Sequence, residues 1–345
     1  MYTMNSTGDI EVRCPSMPVI FLLFTPMLTY FLFAIGFLLL IKGADFLVEG
    51  SAAIAKRMHI SSIVIGLTVV AFGTSMPELI VNIFASIQGN SEIAIGNILG
   101  SNIANIFLIL GICAVIYPVK AQINTVLKEI PLSLLAIVVL GLMANDRLID
   151  GTMISVVSRV DGMVLIAFFI IFMYYILSIA KSSGVADEAE DIKTHKPVTS
   201  IIYIIIGLIF LIFGGKWIVD GAVQIAKLFN MSQSLIGLTI VAVGTSLPEL
   251  ATSVVATYKK QSDIAIGNIV GSNIFNIFWI LGVSAIIRPL PFAESSNLDI
   301  VMTALASIVL LLAVFIGKKH VIERWQGVFM IATYIAYVVV LIRIA

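Results

Sequence analysis

Two nearly identical segments place a glutamate beside a proline inside strongly apolar sequence. They read GTSMPEL at 73–79 and GTSLPEL at 244–250, so that Glu78 corresponds to Glu249. A carboxylate in the hydrocarbon of a bilayer costs about 2.5–3.5 kcal/mol to insert, so each glutamate needs a partner or an ion pathway. Proline lacks an N–H and crowds the preceding turn, which frees carbonyl oxygens there. Such carbonyls are tolerated in a membrane where they line a cavity or bind an ion, so the segments indicate a cation site.

Small side chains share a helix face with each glutamate, because their positions are spaced i, i+3, i+4 and i+7. The faces consist of Ala71, Thr74, Ser75 and Glu78 in the first segment and of Ala242, Thr245, Ser246 and Glu249 in the second. The apolar segment that follows adds polar positions every four residues. These are Asn97, Ser101 and Asn105 in the first half and Asn268, Ser272 and Asn276 in the second. Interhelical hydrogen bonding explains one asparagine, but it poorly explains a stripe that occurs twice opposite a glutamate.

The chemistry of these side chains favours a hard cation. Ca²⁺ takes about six to eight oxygen ligands, and no thiol or imidazole lies on these faces to favour zinc or copper. Two carboxylates balance one divalent charge, whereas several Na⁺ ions can fill the same oxygens at separate subsites. The residues therefore predict a site for Ca²⁺, Na⁺ or both.

A purely structural role is the alternative for the two glutamates, with each one protonated or paired with a lysine. Lys42 and Lys216 are the cations that fall within apolar segments. Each has acidic neighbours with which we expect it to pair, namely Asp45 and Glu49 near Lys42 and Asp220 near Lys216. Since local pairing occupies these lysines, the default for intramembrane acids applies, and we interpret the glutamates as part of an ion pathway.

The chain is a tandem repeat with an offset of 171 residues. The first half contains GLTVVAFGTSMPEL and SEIAIGNILGSNIANIFLILG, and the second contains GLTIVAVGTSLPEL and SDIAIGNIVGSNIFNIFWILG. Matching Pro, Glu, Asn and Gly positions exclude an accidental likeness of two apolar segments. Each half divides into five apolar spans, and an odd number of spans per repeat makes the second copy enter the membrane from the opposite side.

Composition agrees with a membrane protein, since 60% of residues are hydrophobic, 12% are charged and the mean hydropathy is +1.10. We predict an all-α polytopic membrane protein with ten transmembrane helices as two inverted-topology five-helix repeats. The predicted spans are 29–55, 61–86, 93–117, 130–144, 160–180, 199–226, 232–257, 264–287, 299–317 and 325–343. The predicted divisions are 1–28 (N-terminal tail and start of the first span), 29–180 (first repeat), 181–198 (cytoplasmic linker) and 199–345 (second repeat). Pro26 is expected to bend or bound the first span.

Lysine and arginine set the expected orientation. With the N-terminus outside, twelve of these residues fall on the cytoplasmic side and six outside. The positive-inside rule therefore predicts that both termini are extracellular in a multi-pass protein of the cell membrane. The linker contains Asp187, Glu188, Glu190 and Asp191, which are compatible with calcium regulation, although a solvated hinge fits its composition better.

At these motifs the sequence resembles the calcium/cation antiporter superfamily, and within it the sodium/calcium exchangers, especially their compact prokaryotic members. The doubled GTSxPE and GNxxGSNIxNI patterns carry the resemblance, which covers essentially the whole chain after about residue 29. It implies ten helices, a central cluster of four ion sites built by the second, third, seventh and eighth spans, and alternating access by sliding of the first and sixth.

The resemblance also implies roles for single residues. Glu78 and Glu249 are similar to the shared ligands of calcium and sodium, and Thr74 and Thr245 to main-chain calcium ligands. The positions that resemble sodium ligands are Ala71, Ser101, Ala242 and Ser272, with Asn105 and Asn276 at the middle of the cluster. Some relatives, including the potassium-dependent branch, have Asp where this chain has Asn276, which argues against potassium cotransport. The GNxxEH signature of proton/calcium exchangers is absent.

Together these features predict a secondary active antiporter that exchanges Na⁺ for Ca²⁺ by alternating access, electrogenic and independent of K⁺. The alternative is an H⁺/Ca²⁺ antiporter that works by protonation of Glu78 or Glu249. An intramembrane enzyme that uses the glutamates as acid and base is disfavoured because no nucleophile or cofactor motif lies nearby, and a channel because broken helices in inverted repeats favour alternating access. The expected partners are the two transported ions and the lipid bilayer, with no cofactor and no nucleic acid, and we expect a functional monomer.

Overall fold

The computed structural model describes residues 2–4, 10–12, 19–151, 153–182, 195–229 and 242–344, and most of these residues are helical. The helices are α1 Val19–Met58, α2 Ser62–Thr74, α3 Met76–Gln88, α4 Ser91–Ile116, α5 Thr125–Met143, α6 Asp146–Ile149, α7 Arg159–Ser182, α8 Pro197–Leu228, α9 Ala242–Thr245, α10 Leu247–Tyr258, α11 Ser262–Ile287, α12 Asn297–Ala313 and α13 Arg324–Ile344. A 3₁₀ turn, Glu294–Ser296, precedes α12. The short strands are β1 Tyr2–Met4, β2 Ile10–Val12, β3 Val119–Lys120, β4 Val156–Val157, β5 Leu290–Pro291 and β6 Val321–Ile322.

The predicted membrane spans agree with the helices over most of the described chain. Eight helices of the described residues are long and apolar enough to cross a membrane, and α2 with α3 forms a further span that is bent by 47°. The predicted seventh span, 232–257, falls partly outside the described residues, which resume at Ala242 with α9 and α10. Most of the predicted linker, 181–198, also falls outside the described residues, between the end of α7 and the start of α8.

The first helix begins earlier than predicted. We predicted span limits of 29–55, with the start of the span within 1–28, but α1 begins at Val19 and continues through Pro26 to Met58, so Pro26 is not a boundary of the helix. One proline removes one backbone hydrogen bond, whereas ending the helix in apolar sequence would expose several more backbone groups to hydrocarbon. The helical state therefore persists across the proline.

Two helices form the centre of the bundle. Of the most apolar stretch, 78% is buried in α4 and 83% in α11, against 17% in α7 and 22% in α13. The largest fully buried side chains include Phe107 of α4 and Phe278 of α11, and Phe172 of α7 packs in the same cluster. The helices that carry the doubled asparagine motif are therefore enclosed by the other spans.

Several contacts between the two halves are reciprocal, because a pair of residues from the two halves and the repeat-equivalent pair are both in contact. The strand β3 pairs with β6, and β4 pairs with β5. The backbones of Gly111 and Gly327 approach each other closely, as do those of Gly162 and Gly282. Loops that the orientation analysis placed on one side of the membrane thus meet each other.

Glycines allow α1 and α8 to pack backbone against backbone. A Cβ atom added to Gly36 would lie 2.9 Å from the Gly214 carbonyl oxygen, and one added to Gly43 would lie 2.8 Å from that of Gly207. A Cβ atom cannot occupy such a position, so a side chain at either glycine would push the two helices apart.

We expect Gly214→Ala to lower the thermal stability of the purified protein, because its new methyl group would lie 2.8 Å from the Gly36 carbonyl oxygen and 2.9 Å from the Leu40 nitrogen. Overpacking of this kind costs about 1–3 kcal/mol. The matched control is Gly215→Ala on the same helix, whose methyl group would meet Pro248 at an ordinary 3.7 Å. The measurement is the midpoint of thermal unfolding in detergent, and equal midpoints for the two variants would contradict the packing argument.

Charges near the ends of the helices pair differently from the sequence prediction. Lys216 pairs with Asp220 at 2.7 Å, as expected. Asp45, however, pairs with Lys259 at the end of α10 rather than with Lys42, and Glu49 pairs with His195 at 2.7 Å and lies 3.9 Å from Lys259. The local prediction for Lys42 was wrong because that lysine is exposed, whereas Asp45 faces the neighbouring helix.

Candidate ion-binding site

Each proline–glutamate segment lies directly after a break in its helix. The first break is at Ser75, between α2 and α3, where the backbone leaves the helical region with φ −80° and ψ 8°. The second is at Ser246, between α9 and α10, with nearly the same values, φ −87° and ψ 8°. Pro77 and Pro248 occupy the first turns of α3 and α10, where a missing N–H costs least. The predicted breaks are therefore present in both halves.

The two glutamates lie at the first turns of α3 and α10, and both are 1% exposed. Glu78 Oε1 accepts a hydrogen bond from the Ser246 hydroxyl at 3.2 Å and a longer one from Ser101 at 3.5 Å. Glu249 Oε1 accepts one from the Ser75 hydroxyl at 2.9 Å. Each carboxylate is thus held by the serine that precedes the proline of the other half. Helical spacing predicts instead that each serine lies on the face of its own glutamate.

The threonines of the motif also contact the other half. Thr74 Oγ1 donates to Asn268 Oδ1 at 3.0 Å, and Thr245 Oγ1 lies 3.4 Å from Asn97 Oδ1. The two asparagines donate in turn to the main-chain oxygens of the glutamates: Asn97 to Glu78 and Asn268 to Glu249, both at 3.4 Å. These bonds join the helix breaks to the central helices α4 and α11.

Two buried side chains that the sequence analysis missed support the stripe asparagines. Asn97 Nδ2 donates to Asn82 Oδ1 at 2.7 Å, and Asn268 Nδ2 donates to Ser253 Oγ at 3.0 Å. Asn82 and Ser253 occupy equivalent positions of the repeat and are fully buried. A polar residue at both equivalent positions, within otherwise apolar sequence, could have indicated in advance that Asn82 and Ser253 belong to the site.

Asn102 and Asn273, which are not among the predicted site residues, form hydrogen bonds with Asn276 and Asn105. Asn276 Nδ2 donates to Asn102 Oδ1 at 2.9 Å, and Asn105 Nδ2 donates to Asn273 Oδ1 at 3.0 Å. Both residues belong to the repeated GSNIxNI pattern, so their duplication was visible. The stripe, which has a spacing of four residues, does not include them because each lies one position after a stripe serine.

The remaining predicted residues lie in the same region. Ala71 is fully buried, and its carbonyl oxygen accepts from the Ser75 N–H at 3.1 Å and from Thr74 Oγ1 at 3.4 Å. Ser101 and Ser272 are both buried in the central helices. Ala242 is the first residue of α9, and its side chain lies outside the described part of the structure.

Several buried oxygens of this region accept no hydrogen bond from any residue that the structure describes. They are Glu78 Oε2, Glu249 Oε2, Asn105 Oδ1 and Asn276 Oδ1. A buried charge or polar atom without a partner costs free energy, which a bound cation offsets. The set consists of carboxylate and amide oxygens and is composed of two equivalent pairs, a donor set that suits Ca²⁺ and Na⁺.

The described residues contain no cluster of three or more His, Cys, Asp or Glu side chains that could hold a metal ion. Any cation held between Glu78 and Glu249 therefore needs hydroxyl, amide or main-chain oxygens to complete its coordination. The neighbouring serines, threonines and asparagines supply such atoms.

The π-helical stretches 104–110 and 275–281 begin immediately before Asn105 and Asn276, and π turns in α-helices are frequent at functional sites.

A family model identifies the protein family. The family model described as "Sodium/calcium exchanger protein" matches residues 28–178 and 199–343, which is most of the chain. The chain belongs to the sodium/calcium exchanger family. It is therefore an antiporter rather than an enzyme, and a multi-span membrane protein of calcium and sodium transport.

Individual relatives support the assignment. The putative antiporter CaxA of Alkalimonas amylolytica is 37% identical over 88% of this chain and 95% of its own length. The sodium/calcium exchanger MaX1 of Methanosarcina acetivorans is 33% identical over 91% of this chain and 99% of its own. A solved structure of the sodium-calcium exchanger NCX_Mj, soaked with Na⁺ and Sr²⁺, matches with a TM-score of 0.78 and 35% identity over 91% of this chain and 99% of that one.

Proposed function

We propose that this exchanger moves Na⁺ against Ca²⁺ by alternating access through the site between Glu78 and Glu249. The observation that carries the proposal is the pair of buried carboxylates, each bonded to a serine of the other half. Two carboxylates neutralise one Ca²⁺, and the same oxygens serve Na⁺ at separate subsites. One set of ligands that serves both ions in turn is what an exchanger needs.

The proposed ligands are those of the sequence analysis. Glu78 and Glu249 bind both ions, and the other contacts come from hydroxyl, amide and main-chain oxygens. These belong to Ala71, Thr74, Ser75, Ser101, Asn105, Ala242, Thr245, Ser246, Ser272 and Asn276. The transported ions are the substrates, and the exchange requires no cofactor.

A cavity of about 270 Å³ beside the site supports an access route on one side. Pro77, Thr245 and Pro248 line it, as do Lys216 and Asp220 of α8. The residues of α1 that are equivalent to Lys216 and Asp220 are Asp45 and Glu49. Asp45 forms an ion pair with Lys259, and Glu49 lies 3.9 Å from the same lysine. We propose that the cavity admits ions from one side while the ion pairs of α1 close the other.

The reciprocal contacts between the halves support an inverted-topology repeat of ten spans, because an exchange of the two halves conserves the contact pattern. We place the cavity on the extracellular side and the Asp45–Lys259 pair on the cytoplasmic side, with both termini outside the cell membrane. Sliding of α1 and α8 past the rest of the bundle would alternate the access. We propose that one chain is sufficient.

Uptake of radiolabelled Ca²⁺ into proteoliposomes tests the coupling. An outward Na⁺ gradient is expected to drive uptake, and neither a H⁺ gradient nor K⁺ is expected to replace Na⁺. Protein-free liposomes measure the leak. Uptake driven by a H⁺ gradient in the absence of Na⁺ would instead show H⁺/Ca²⁺ antiport, for which a buried carboxylate that can be protonated would suffice.

A further inference from the structure

Four asparagines meet where α4 crosses α11. They are Asn102 and Asn105 of α4 and Asn273 and Asn276 of α11, and each is at most 1% exposed. An asparagine amide has an oxygen that attracts cations and an NH₂ group that repels them. Which end faces the ion site therefore decides whether the residue can act as a ligand.

Main-chain contacts determine the orientation of the first pair. Asn102 Nδ2 donates to the Asn273 carbonyl oxygen at 3.2 Å, and Asn273 Nδ2 donates to the Asn102 carbonyl oxygen at 3.5 Å. A backbone carbonyl only accepts hydrogen bonds, so the NH₂ end of each side chain must face the other main chain. The amide oxygens of Asn102 and Asn273 consequently point away from these carbonyls.

The orientation of the first pair determines that of the second. Asn102 Oδ1 is an acceptor, so the end of Asn276 that lies 2.9 Å from it must be the NH₂ group. The same holds for Asn105, whose Nδ2 lies 3.0 Å from Asn273 Oδ1. The oxygens of Asn105 and Asn276 therefore face the opposite way, and no described residue donates a hydrogen bond to them.

We propose that Asn102 and Asn273 are positioning residues that keep the amide oxygens of Asn276 and Asn105 directed at the transported cations. Each half of the protein thereby orients a ligand of the other half. The inference rests on the proposed function, because it assigns Asn105 and Asn276 to the ion site. Without the hydrogen bonds to Asn102 and Asn273, the amide of Asn276 or Asn105 can rotate and present its NH₂ group to the cation.

The main test is Asn102→Ala, measured as the apparent KM for Ca²⁺ in Na⁺-driven uptake and as direct binding of radiolabelled Ca²⁺ to the purified protein. We expect the apparent KM and the dissociation constant for Ca²⁺ each to rise by about tenfold, which is the effect of one misoriented ligand. The maximal rate should change less. The matched control is Asn297→Ala. It removes another reciprocal amide pair between the halves, Asn145 with Asn297 at 2.8 and 3.0 Å, and should leave both constants unchanged.

A double-mutant cycle separates orientation from general packing. A carboxylate has two equivalent oxygens, so its orientation does not matter, and it cannot donate a hydrogen bond to Asn102 Oδ1. In an Asn276→Asp background Asn102→Ala should therefore not weaken Ca²⁺ binding. If loss of packing were the cause, the weakening would be as large in this background as in the parent. The mirror cycle, Asn273→Ala with Asn105→Asp, gives the same test if Asn102→Ala fails to fold.

The outcomes distinguish a failure of the proposed Na⁺ coupling from a failure of the proposed asparagine orientation. A parent protein that binds Ca²⁺ but shows no Na⁺-driven uptake contradicts the proposed coupling. In that case Ca²⁺ binding in the double-mutant cycle still tests whether Asn102 and Asn273 orient the two ligands. Parent-like Ca²⁺ binding by Asn102→Ala, or equal weakening in the Asn276→Asp background, overturns the inference. Weakening in the parent that disappears in the Asp background supports it.

Discussion

Replacement of either Glu78 or Glu249 by glutamine is expected to abolish calcium exchange while the protein still folds. The amide retains the shape of the side chain, and its oxygen can still accept from Ser246 or Ser75. It loses the negative charge that offsets the desolvation of Ca²⁺ in a site that is 1% exposed. Loss of one charged partner from a buried pair costs about 3–5 kcal/mol, so we expect Ca²⁺ flux to fall by at least about a hundredfold.

The measurement is Na⁺-driven Ca²⁺ uptake in proteoliposomes, with thermal unfolding of the same samples as the test of folding. The matched control is Glu129→Gln in α5. Glu129 is also buried, at 2% exposure, but it accepts from the Tyr175 hydroxyl and lies outside the proposed ligand set. We expect this control to retain exchange. Near-parental flux in Glu78→Gln or Glu249→Gln would refute the site.

Membrane potential is expected to change the Ca²⁺ distribution that the exchanger reaches. Two carboxylates make the Ca²⁺-loaded site roughly neutral, so exchange for three or more Na⁺ moves at least one net positive charge. One charge across 100 mV corresponds to about 2.3 kcal/mol, which is about a fiftyfold shift in the equilibrium Ca²⁺ ratio at fixed Na⁺ gradient. An inside-positive potential should therefore favour Ca²⁺ uptake against Na⁺ exit.

The potential can be set with valinomycin and a K⁺ gradient, because the proposed exchange is independent of K⁺. Equal K⁺ on both sides gives the zero-potential control, and Glu78→Gln liposomes show whether the potential alone moves Ca²⁺. If the Ca²⁺ ratio does not respond to the potential while a Na⁺ gradient still drives exchange, the stoichiometry is two Na⁺ per Ca²⁺ and the transport is electroneutral.

The sequence alone was sufficient to predict much of this protein. Hydropathy identifies most of the membrane helices, because twenty or so apolar residues are what a bilayer requires. The offset of 171 residues pairs Glu78 with Glu249, and the prolines mark the two helix breaks. These features depend on local composition and on repetition, which are properties of the chain before it folds. The division into two inverted repeats and the roles of single ligands remain predictions.

Only the tertiary structure decides which groups meet. Helical spacing places Ser75 and Glu78 on one face, but the break at Ser75 and the packing of the halves bring the Ser75 hydroxyl to Glu249, 174 residues away. Asp45 likewise pairs with Lys259 rather than with nearby Lys42. The helical period specifies where a side chain lies around its own helix. Its partner depends on how the neighbouring helices are rotated and shifted relative to one another. That information comes from close packing at glycines and from the need of every buried polar group for a partner.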